Sequence, residues 1–421
     1  MRQIKKKEFI IKSLLDLDVY KLFMLLLAFR YYPDVPVRYA FKNRTKSLPL
    51  LEYIDMDRLS EELHHVSTLR ISKADLAKLA QINIKGVNIF GRFPDFMEFL
   101  GDLRLDFNQL VISADGDNPK IEAQGKWKEV ELWETLKLSI ASGLFGRGYM
   151  AKHKLDVADV AFHGLDNLDA KIVFLKQHPE IKNIVEFGTR RRFHGLWWQR
   201  EVYYRLRRML PNQVIGTSNV LLALERGEIP IGTMAHSLFQ ILFGIYHDRD
   251  NRVAFSQNKV YEQWHELFAP ALMTALTDTY SSDFAFRNMN PEMFSWWDYF
   301  RHDSGPAEEY VWKILRKCRE TGLDPMKTGV IFSDGLTVET MAEYAKYVNS
   351  LMNYGYGWGT DLTNDVGIPT PSIISKAVWA NGHGTVKTSD NIAKAIGEPE
   401  DIEVVKKETD YGVTFREECR C

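Results

Sequence analysis

Several short polar segments in the second half of the chain combine charged residues in ways that suit the binding of an anionic group. The densest begins at Arg301, where a cation, an imidazole and a carboxylate (Arg301, His302, Asp303) precede Ser304 and Gly305. A guanidinium can bind a carboxylate or phosphate through two hydrogen bonds. The Asp at such a site is suited to a ribose hydroxyl, a magnesium-bound water or a ring substituent. The alternative is an ion pair on an exposed loop.

His236 stands at a second junction, after Gly232-Thr233-Met234-Ala235 and before an apolar helical pattern. A histidine in this position suits a general acid or base, a metal ligand or a phosphoryl acceptor, although a lone histidine is more often a core residue. No His or Cys cluster around it has the spacing of a zinc site. Cys419 and Cys421 have no second pair to complete one, and we interpret them as a frayed end.

Three further segments have the residue types that bind phosphate or carboxylate. Residues 357–360 (Gly-Trp-Gly-Thr) offer backbone N–H groups and a hydroxyl, as does a helix N-terminus. Residues 333–335 (Ser-Asp-Gly) suit the same task but are also ordinary helix caps. Residues 190–192 are three arginines at a predicted helix start, where the helix dipole disfavours cations. They therefore indicate an anionic partner, unless they are simply a solvated helix start.

The elements that must position these residues are short apolar segments, each followed by a polar tip and then a helical pattern. Such strand-then-helix units predict a parallel α/β fold, specifically a (β/α) barrel whose polar tips meet at the carboxyl ends of the strands. A doubly wound open sheet is the alternative. The seven predicted strands cover residues 184–187, 213–215, 229–231, 271–276, 296–300, 329–332 and 353–356.

The first 150 residues predict a separate mixed α/β unit. We assign residues 1–150 to an N-terminal α/β domain completed by about 371–421, and residues 151–370 to the barrel. A strand-like run at 373–379 is expected to pack on the N-terminal part. Within that part the patterns predict helices at 11–31 and 130–144 and strands at 37–43, 105–113 and 120–124.

Composition excludes several classes of function. The net charge of −2 argues against a nucleic-acid-binding surface, which needs a clustered basic excess. The most apolar stretch, residues 22–29, is too short to span a bilayer. Three cysteines cannot form a disulfide framework, so a reducing, cytoplasmic setting is expected.

Taken together, the motifs resemble the nicotinate phosphoribosyltransferase family, in order from residue 13 to about 387. The segments that carry the resemblance are Leu-Asp-Leu-Asp-Val-Tyr-Lys-Leu-Phe-Met (15–24), Tyr-Ala-Phe-Lys-Asn-Arg (39–44), Glu-Phe-Gly-Thr-Arg-Arg-Arg-Phe (186–193), Ile-Gly-Thr-Ser-Asn (215–219), Gly-Thr-Met-Ala-His (232–236), Arg-His-Asp-Ser-Gly (301–305) and Phe-Ser-Asp (332–334).

The resemblance implies an irregular α/β barrel plus an α/β domain, and a homodimer with shared active sites. It also implies the reaction: nicotinate, phosphoribosyl pyrophosphate, ATP and water give nicotinate mononucleotide, pyrophosphate, ADP and phosphate. This is the first step of NAD salvage from nicotinate, formally a ligase reaction. Mg²⁺ would reach the site through pyrophosphate rather than through direct protein ligands.

The resemblance further implies the roles of individual residues. His236 would be phosphorylated by ATP and, with Asp303, would be catalytic. Nicotinate would be bound by Tyr20, Phe187, Arg190, Ser218, Thr233 and Arg301. Phosphoribosyl pyrophosphate would be bound by Asp278, Asp334, Gly335, Gly357, Gly359 and Thr360. Asp361 departs from the neutral residue of relatives, and its carboxylate would oppose a bound phosphate if it pointed inward.

Three alternatives stay open at this point. A nicotinamide or quinolinate phosphoribosyltransferase would share the fold, although the Gly-Thr-Arg-Arg-Arg and Gly-Thr-Met-Ala-His motifs favour nicotinate. A barrel enzyme of unrelated chemistry, such as an aldolase, would more naturally have a lysine at a strand end, and the seven tips have none. A non-catalytic relative should have lost His236, Arg301 or Asp303, and all three are present.

Overall fold

The computed structural model describes residues 8–418, so the tail residues Cys419 and Cys421 lie outside the described part. The strands are β1 (Pro36–Asn43), β2 (Asn83–Ile84), β3 (Val87–Asn88), β4 (Leu110–Asp115), β5 (Asn118–Lys126), β6 (Ile184–Glu186), β7 (Val214–Thr217), β8 (Thr274–Leu276), β9 (Tyr299–His302), β10 (Gly329–Phe332), β11 (Asn353–Trp358), β12 (Ile373–Ala380) and β13 (His383–Gly384).

The helices surround and connect these strands. They are α1 (Tyr20–Tyr31), α2 (Met56–Thr68), α3 (Lys73–Leu79), α4 (Pro94–Asp102), α5 (Trp127–Val130), α6 (Trp133–His153), α7 (Val157–Gln177), α8 (Leu196–Met209), α9 (Val220–Arg226), α10 (His236–Ile245), α11 (Arg252–Phe268), α12 (Ser282–Asn288), α13 (Pro291–Ser295), α14 (Ala307–Thr321), α15 (Val338–Val348), α16 (Thr360–Thr363) and α17 (Pro399–Glu408). Single 3₁₀ turns occupy Leu50–Glu52, Phe107–Gln109, Thr189–Arg191, Pro325–Lys327 and Ile392–Lys394.

Six strands form a parallel sheet in the order β7-β6-β11-β10-β9-β8. The predicted strand at 229–231 is wrong. Instead an irregular segment spans the gap between the two edge strands: Ile231 N donates to Thr217 O of β7 at 2.9 Å, and the Thr233 hydroxyl donates to Thr274 O of β8. Pro230 lacks the N–H that a regular strand needs. The barrel predicted from the sequence is confirmed, and this gap is what makes it irregular.

A second sheet is antiparallel, in the order β13-β12-β1-β5-β4. β12, which follows the barrel in sequence, pairs with β1 from the start of the chain, with Ala40 opposite Lys376. The chain after the barrel therefore contributes to the same sheet as the N-terminal part, as the fold class predicted. We call this unit the sheet domain.

The first half of the helix predicted at 11–31 is wrong, because α1 begins only at Tyr20. Residues 15–19 instead run alongside residues 218–221: Val19 N donates to Ser218 O at 2.8 Å, and Val220 N donates to Leu17 O at 2.9 Å. The Asp16 carboxylate accepts two hydrogen bonds of 2.6 Å from the buried guanidinium of Arg192. Pairing with the barrel satisfies the backbone and the carboxylate together, and it outweighs the helical pattern of the segment.

Among residues 8–418, no helix combines the length and apolar composition that a bilayer span requires.

Candidate active site

A cavity of about 380 Å³ opens where the barrel strands end and the sheet domain packs over them. All the predicted site residues line it except Asp278. Those brought together are Tyr20, Phe187, Arg190, Ser218, Thr233, His236, Arg301, Asp303, Asp334, Gly335, Gly357, Gly359 and Thr360. The strand-end rule for parallel α/β folds accounts for this convergence, since most of these residues end or directly follow a barrel strand.

The aromatic end of the cavity is built by Tyr20, the first residue of α1, and Phe187, which follows β6. The Tyr20 hydroxyl donates to Glu134 at 3.2 Å, which fixes the outer end of that ring. The Phe187 ring lies against Gly357, where an added Cβ would be 2.6 Å from the ring. A glycine is therefore required at 357 for the close approach of two strand tips.

A buried carboxylate behind Phe187 shapes the tip of β6. Glu186 accepts from the backbone N–H of Gly188 at 2.6 Å and from the Gln199 amide at 2.9 Å. Burial raises the pKa of Glu186 to about 7, against the opposing effect of these donors. The bonds to Gly188 and Gln199 fix the turn that leads into Arg190.

Asp18 is a cavity residue that the sequence analysis did not assign to the site. Its carboxylate accepts from the Ser218 hydroxyl at 2.6 Å and lies 3.7 Å from the Arg190 Nε. Burial raises the pKa of Asp18, an effect that Arg190 and Ser218 partly offset. Asp18 thus joins two of the predicted nicotinate-binding residues. The sequence feature that could have indicated a site role for Asp18 is its position two residues before Tyr20.

His236 begins α10 and is buried beneath the cavity. Its Nε2 lies 2.9 Å from Asp303 Oδ2 and 2.8 Å from the Lys387 ammonium, and its Nδ1 lies 3.0 Å from the Thr279 hydroxyl. Burial, reinforced by the Lys387 charge, lowers the pKa of His236 to about 4 despite the neighbouring Asp278 and Asp303. The imidazole is therefore neutral at pH 7, as a nitrogen nucleophile must be.

Asp278 lies behind His236 rather than on the cavity wall. It accepts from the Ser304 hydroxyl through Oδ2, and its Oδ1 is 3.7 Å from His236 Nε2. Within residues 8–418 that Oδ1 is buried without a hydrogen-bond partner. Its location is more consistent with an influence on His236 than with direct contact to a large substrate.

Arg301 and Asp303 form a linked pair at the end of β9. One guanidinium nitrogen donates to Met234 O at 2.9 Å, and another lies 3.5 Å from Asp303 Oδ2. The Ser333 hydroxyl donates to Asp303 Oδ1 at 3.0 Å. Burial opposes ionisation of Asp303, but Arg301 and His236 outweigh it and keep the pKa of this carboxyl well below its usual value.

Four further cavity cations come from the sheet domain and the chain that follows it, and the sequence analysis missed them: Arg44, Lys376, Lys387 and Lys394. Lys394 donates to Asp334 at 2.5 Å and to the Asp303 backbone oxygen at 2.7 Å. Burial lowers the pKa of Lys376 to about 7. Arg44 ends the segment 39–44 that carries the family resemblance, but no motif marks the three lysines, and Lys376 is the one charged residue of the strand at 373–380.

The carboxylate of Asp361, a concern beside the glycine-rich tip, has its own partners. It accepts from the Trp358 indole at 3.0 Å and lies 3.0 Å from the Lys171 ammonium of α7. Lys171 also lies 2.8 Å from Asp365. The negative charge beside the tip is therefore paired with a cation from outside the cavity.

Comparisons with known proteins identify the family of this chain. The profile of the nicotinate phosphoribosyltransferase (NAPRTase) family matches residues 182–413, and the profile of the N-terminal domain of that family matches residues 15–142.

Two solved structures with similar chains have the same fold. A nicotinate phosphoribosyltransferase from Vibrio cholerae is 30% identical, with a TM-score of 0.85 over 96% of this chain and 95% of that one. A nicotinate phosphoribosyltransferase from Porphyromonas gingivalis is 26% identical, with a TM-score of 0.82 over 95% of this chain and 100% of that one. The fold is thus shared along almost the whole length.

Proposed function

Because the chain belongs to the nicotinate phosphoribosyltransferase family, we propose that it joins nicotinate to phosphoribosyl pyrophosphate and couples this transfer to ATP hydrolysis. The products are nicotinate mononucleotide, pyrophosphate, ADP and phosphate, and the reaction is the first step of NAD salvage from nicotinate. The observation that carries the proposal is one cavity with an aromatic, arginine-bearing end and a buried neutral His236 between Lys387 and Asp303.

Nicotinate is a flat ring with a carboxylate, and the aromatic end of the cavity suits both parts. Tyr20 and Phe187 line the space in which the ring would stack. Arg301 would pair with the carboxylate, with Arg190 nearby. Ser218 and Thr233 would add polar contacts from the tip of β7 and from the segment that bridges the gap between β7 and β8.

In the transfer step, the pyridine nitrogen attacks the ribose C1 while pyrophosphate departs. Positive charge develops on the sugar and negative charge on the leaving group. Asp303 and Asp334 suit the ribose hydroxyls, and the cations Arg44, Lys376, Lys387 and Lys394 suit the pyrophosphate. Backbone groups at Gly335, Gly357 and Gly359, with the Thr360 hydroxyl, would bind the 5-phosphate.

The residues around His236 suit a Mg²⁺ ion that enters the site bound to the substrate pyrophosphate. The carboxylates of Asp278 and Asp303 lie near His236, with ligand atoms of the three residues within 4.8 Å of one another, and oxygen ligands are those that Mg²⁺ prefers. When bound, Mg²⁺ would shield the charge of the leaving pyrophosphate. The unpartnered Oδ1 of Asp278 is suited to accept from one of its waters.

His236 is the proposed acceptor of the ATP γ-phosphoryl group. The phosphoimidazole would lie beside the proposed pyrophosphate cations, where its negative charge organises them and biases the equilibrium towards nucleotide. We further propose that the chain works as a homodimer with shared active sites, which a light-scattering mass of twice 48.8 kDa would support.

The test is product formation from nicotinate and phosphoribosyl pyrophosphate with Mg²⁺, with and without ATP, read by mass spectrometry. Nicotinamide and quinolinate serve as matched ring substrates. We expect nicotinate mononucleotide, with yield increased by ATP. Product formation without any effect of ATP would support the transferase activity and contradict the proposed phosphohistidine. Product formation only from nicotinamide or quinolinate would show that nicotinate is not the substrate.

A further inference from the structure

The Nε2 atom of His236 lies beside two groups that require opposite protonation states of it. Lys387 can only donate a hydrogen bond, so at 2.8 Å it needs the Nε2 lone pair. Asp303 can only accept while it is ionised, so at 2.9 Å it needs a hydrogen on Nε2. A neutral imidazole meets one of these demands, and the choice decides which nitrogen can act as a nucleophile.

The alternative partners of the two groups favour Lys387. Asp303 also accepts from Ser333 at 3.0 Å and has Arg301 at 3.5 Å. For the Lys387 ammonium, in contrast, the bond to His236 is the one hydrogen bond within residues 8–418, and its one ion pair there is with Asp278 Oδ2 at 3.7 Å. An ammonium buried without an acceptor costs more than a carboxylate that loses one of several partners.

The other ring nitrogen fits the same arrangement. With Nε2 unprotonated, Nδ1 carries the hydrogen and donates it to the Thr279 hydroxyl at 3.0 Å. The backbone oxygen of Thr279 accepts from Thr388 N at 3.0 Å and Ser389 N at 3.2 Å. Thr279 therefore contacts both the imidazole and the segment that delivers Lys387, so these groups are fixed relative to one another.

We propose that Lys387 and Thr279 are positioning residues that keep His236 in the Nδ1–H tautomer, so that Nε2 is the nitrogen that accepts the phosphoryl group. The inference rests on the proposed ATP coupling and adds the site of attack and the residues that select it. Once the group is transferred, the Lys387 ammonium pairs with the phosphoryl oxygens. His236 is itself the first residue of the ten-residue helix α10, and a helix N-terminus favours an anion.

The step balances without a further reactant. The Nε2 lone pair attacks the γ-phosphorus, and the bond from that phosphorus to the oxygen bridging to the β-phosphorus breaks. ADP leaves with the electron pair, and the proton on Nδ1 stays in place. In hydrolysis, water attacks the phosphorus, the electrons of the N–P bond return to Nε2, and phosphate leaves with the water oxygen.

The first experiment determines the tautomer of the resting enzyme by nitrogen NMR of isotope-labelled histidine, with His236 assigned by its loss in His236→Gln. We expect a pyridine-like Nε2 in the wild type and a shift towards Nε2–H in Lys387→Met, because only Asp303 then remains. A hydrogen on Nε2 in the wild type overturns the inference. This measurement needs no substrate and stands apart from the proposed reaction.

The second experiment identifies the phosphohistidine isomer after reaction with ATP, with the phosphate on Nε2 expected and phosphate on Nδ1 overturning the inference. Lys387→Met should slow phosphorylation about 10²-fold and Thr279→Val about tenfold, each more than it slows transfer without ATP. Lys313→Met, on α14 and bonded to Ser282, is the charge-matched control and should keep the wild-type rate.

Restoration by Lys387→Arg distinguishes positioning from a general loss of structure, because arginine keeps the donor. An equal loss of phosphorylation and of ATP-independent transfer in Lys387→Met, with the tautomer unchanged, would overturn the role of Lys387. If the wild type transfers phosphoribose but forms no phosphohistidine, the proposed coupling fails together with the site of attack, and the NMR result on the tautomer still stands by itself.

Discussion

The two walls of the cavity differ in what they contribute. The barrel wall carries the proposed reacting and orienting groups, among them Arg301 and Asp303 at the end of β9 and His236 at the start of α10. The sheet-domain side contributes Arg44 and Lys376, and the chain after it adds Lys387 and Lys394. The barrel side therefore supplies acids, arginines, the imidazole and backbone donors, whereas the charged cavity residues of the opposite side are all cations, beside Ile374 and Ile396. The comparison suggests that selectivity and nucleophile belong to the barrel, and that the sheet domain mainly balances phosphate charge.

The largest expected effect is on the barrel side. His236→Ala should abolish ATP-dependent phosphorylation and ATP stimulation while some uncoupled transfer remains, because the ring is the proposed acceptor and not the group that attacks the ribose. Radiolabelled ATP and product mass measure the two quantities separately. Full ATP stimulation in this variant would refute the assignment of His236.

Arg301→Met should raise the KM for nicotinate about 10²-fold, because a carboxylate in a partly desolvated site loses its paired guanidinium. Arg301→Lys should restore only part of this loss, since an ammonium cannot form the paired hydrogen bonds. Steady-state kinetics with each substrate varied in turn, the other being saturating, would measure it. A change confined to the KM for phosphoribosyl pyrophosphate would mean that Arg301 binds that substrate and not nicotinate.

The balance of charges around His236 also predicts a pH effect on stability. Burial, with Lys387 nearby, lowers the pKa of His236 from 6.5 to about 4. Between these values the unfolded chain binds a proton that the folded chain does not. Stability should therefore be fully present above pH 6.5 and decrease towards pH 4, by at most about tenfold in the folding equilibrium per pH unit. Urea midpoints of wild type and His236→Gln would show it, as the variant should have the flatter profile; identical profiles would contradict the shift.

The same comparison explains what the sequence could reveal. Barrel residues such as Arg301 and Ser218 stand in local motifs at the ends of apolar runs, so the strand-end rule locates them before any coordinates exist. Lys387 and Lys394 reach the cavity only because the chain after β12 folds back over the barrel, a long-range arrangement that no local pattern encodes. Residues 15–19 show the same limit, because their pairing with residues 218–221 overrides a helical pattern.

On the cationic side, Arg44→Met should have a smaller effect, about fivefold on the KM for phosphoribosyl pyrophosphate. Arg44 donates to Ser372 at 3.0 Å and shares the charge of that wall with three lysines, so the others compensate in part. The loss should shrink as salt increases, because screening weakens contacts between partly exposed charges. If Arg44→Met instead raised the KM for nicotinate as much as Arg301→Met does, the proposed difference in function between the two walls would be contradicted.

The smallest expected effect comes from outside the cavity. Lys171→Met should raise the KM for phosphoribosyl pyrophosphate about twofold to threefold, because Asp361 loses the cation at 3.0 Å and its charge then opposes the 5-phosphate. Burial raises the pKa of Asp361, and the Lys171 charge opposes that rise. The double variant Lys171→Met/Asp361→Asn should return to the wild-type KM, since the opposing charge is gone. A double variant as impaired as Lys171→Met would mean that Lys171 acts through packing of α7 and that Asp361 does not face the phosphate.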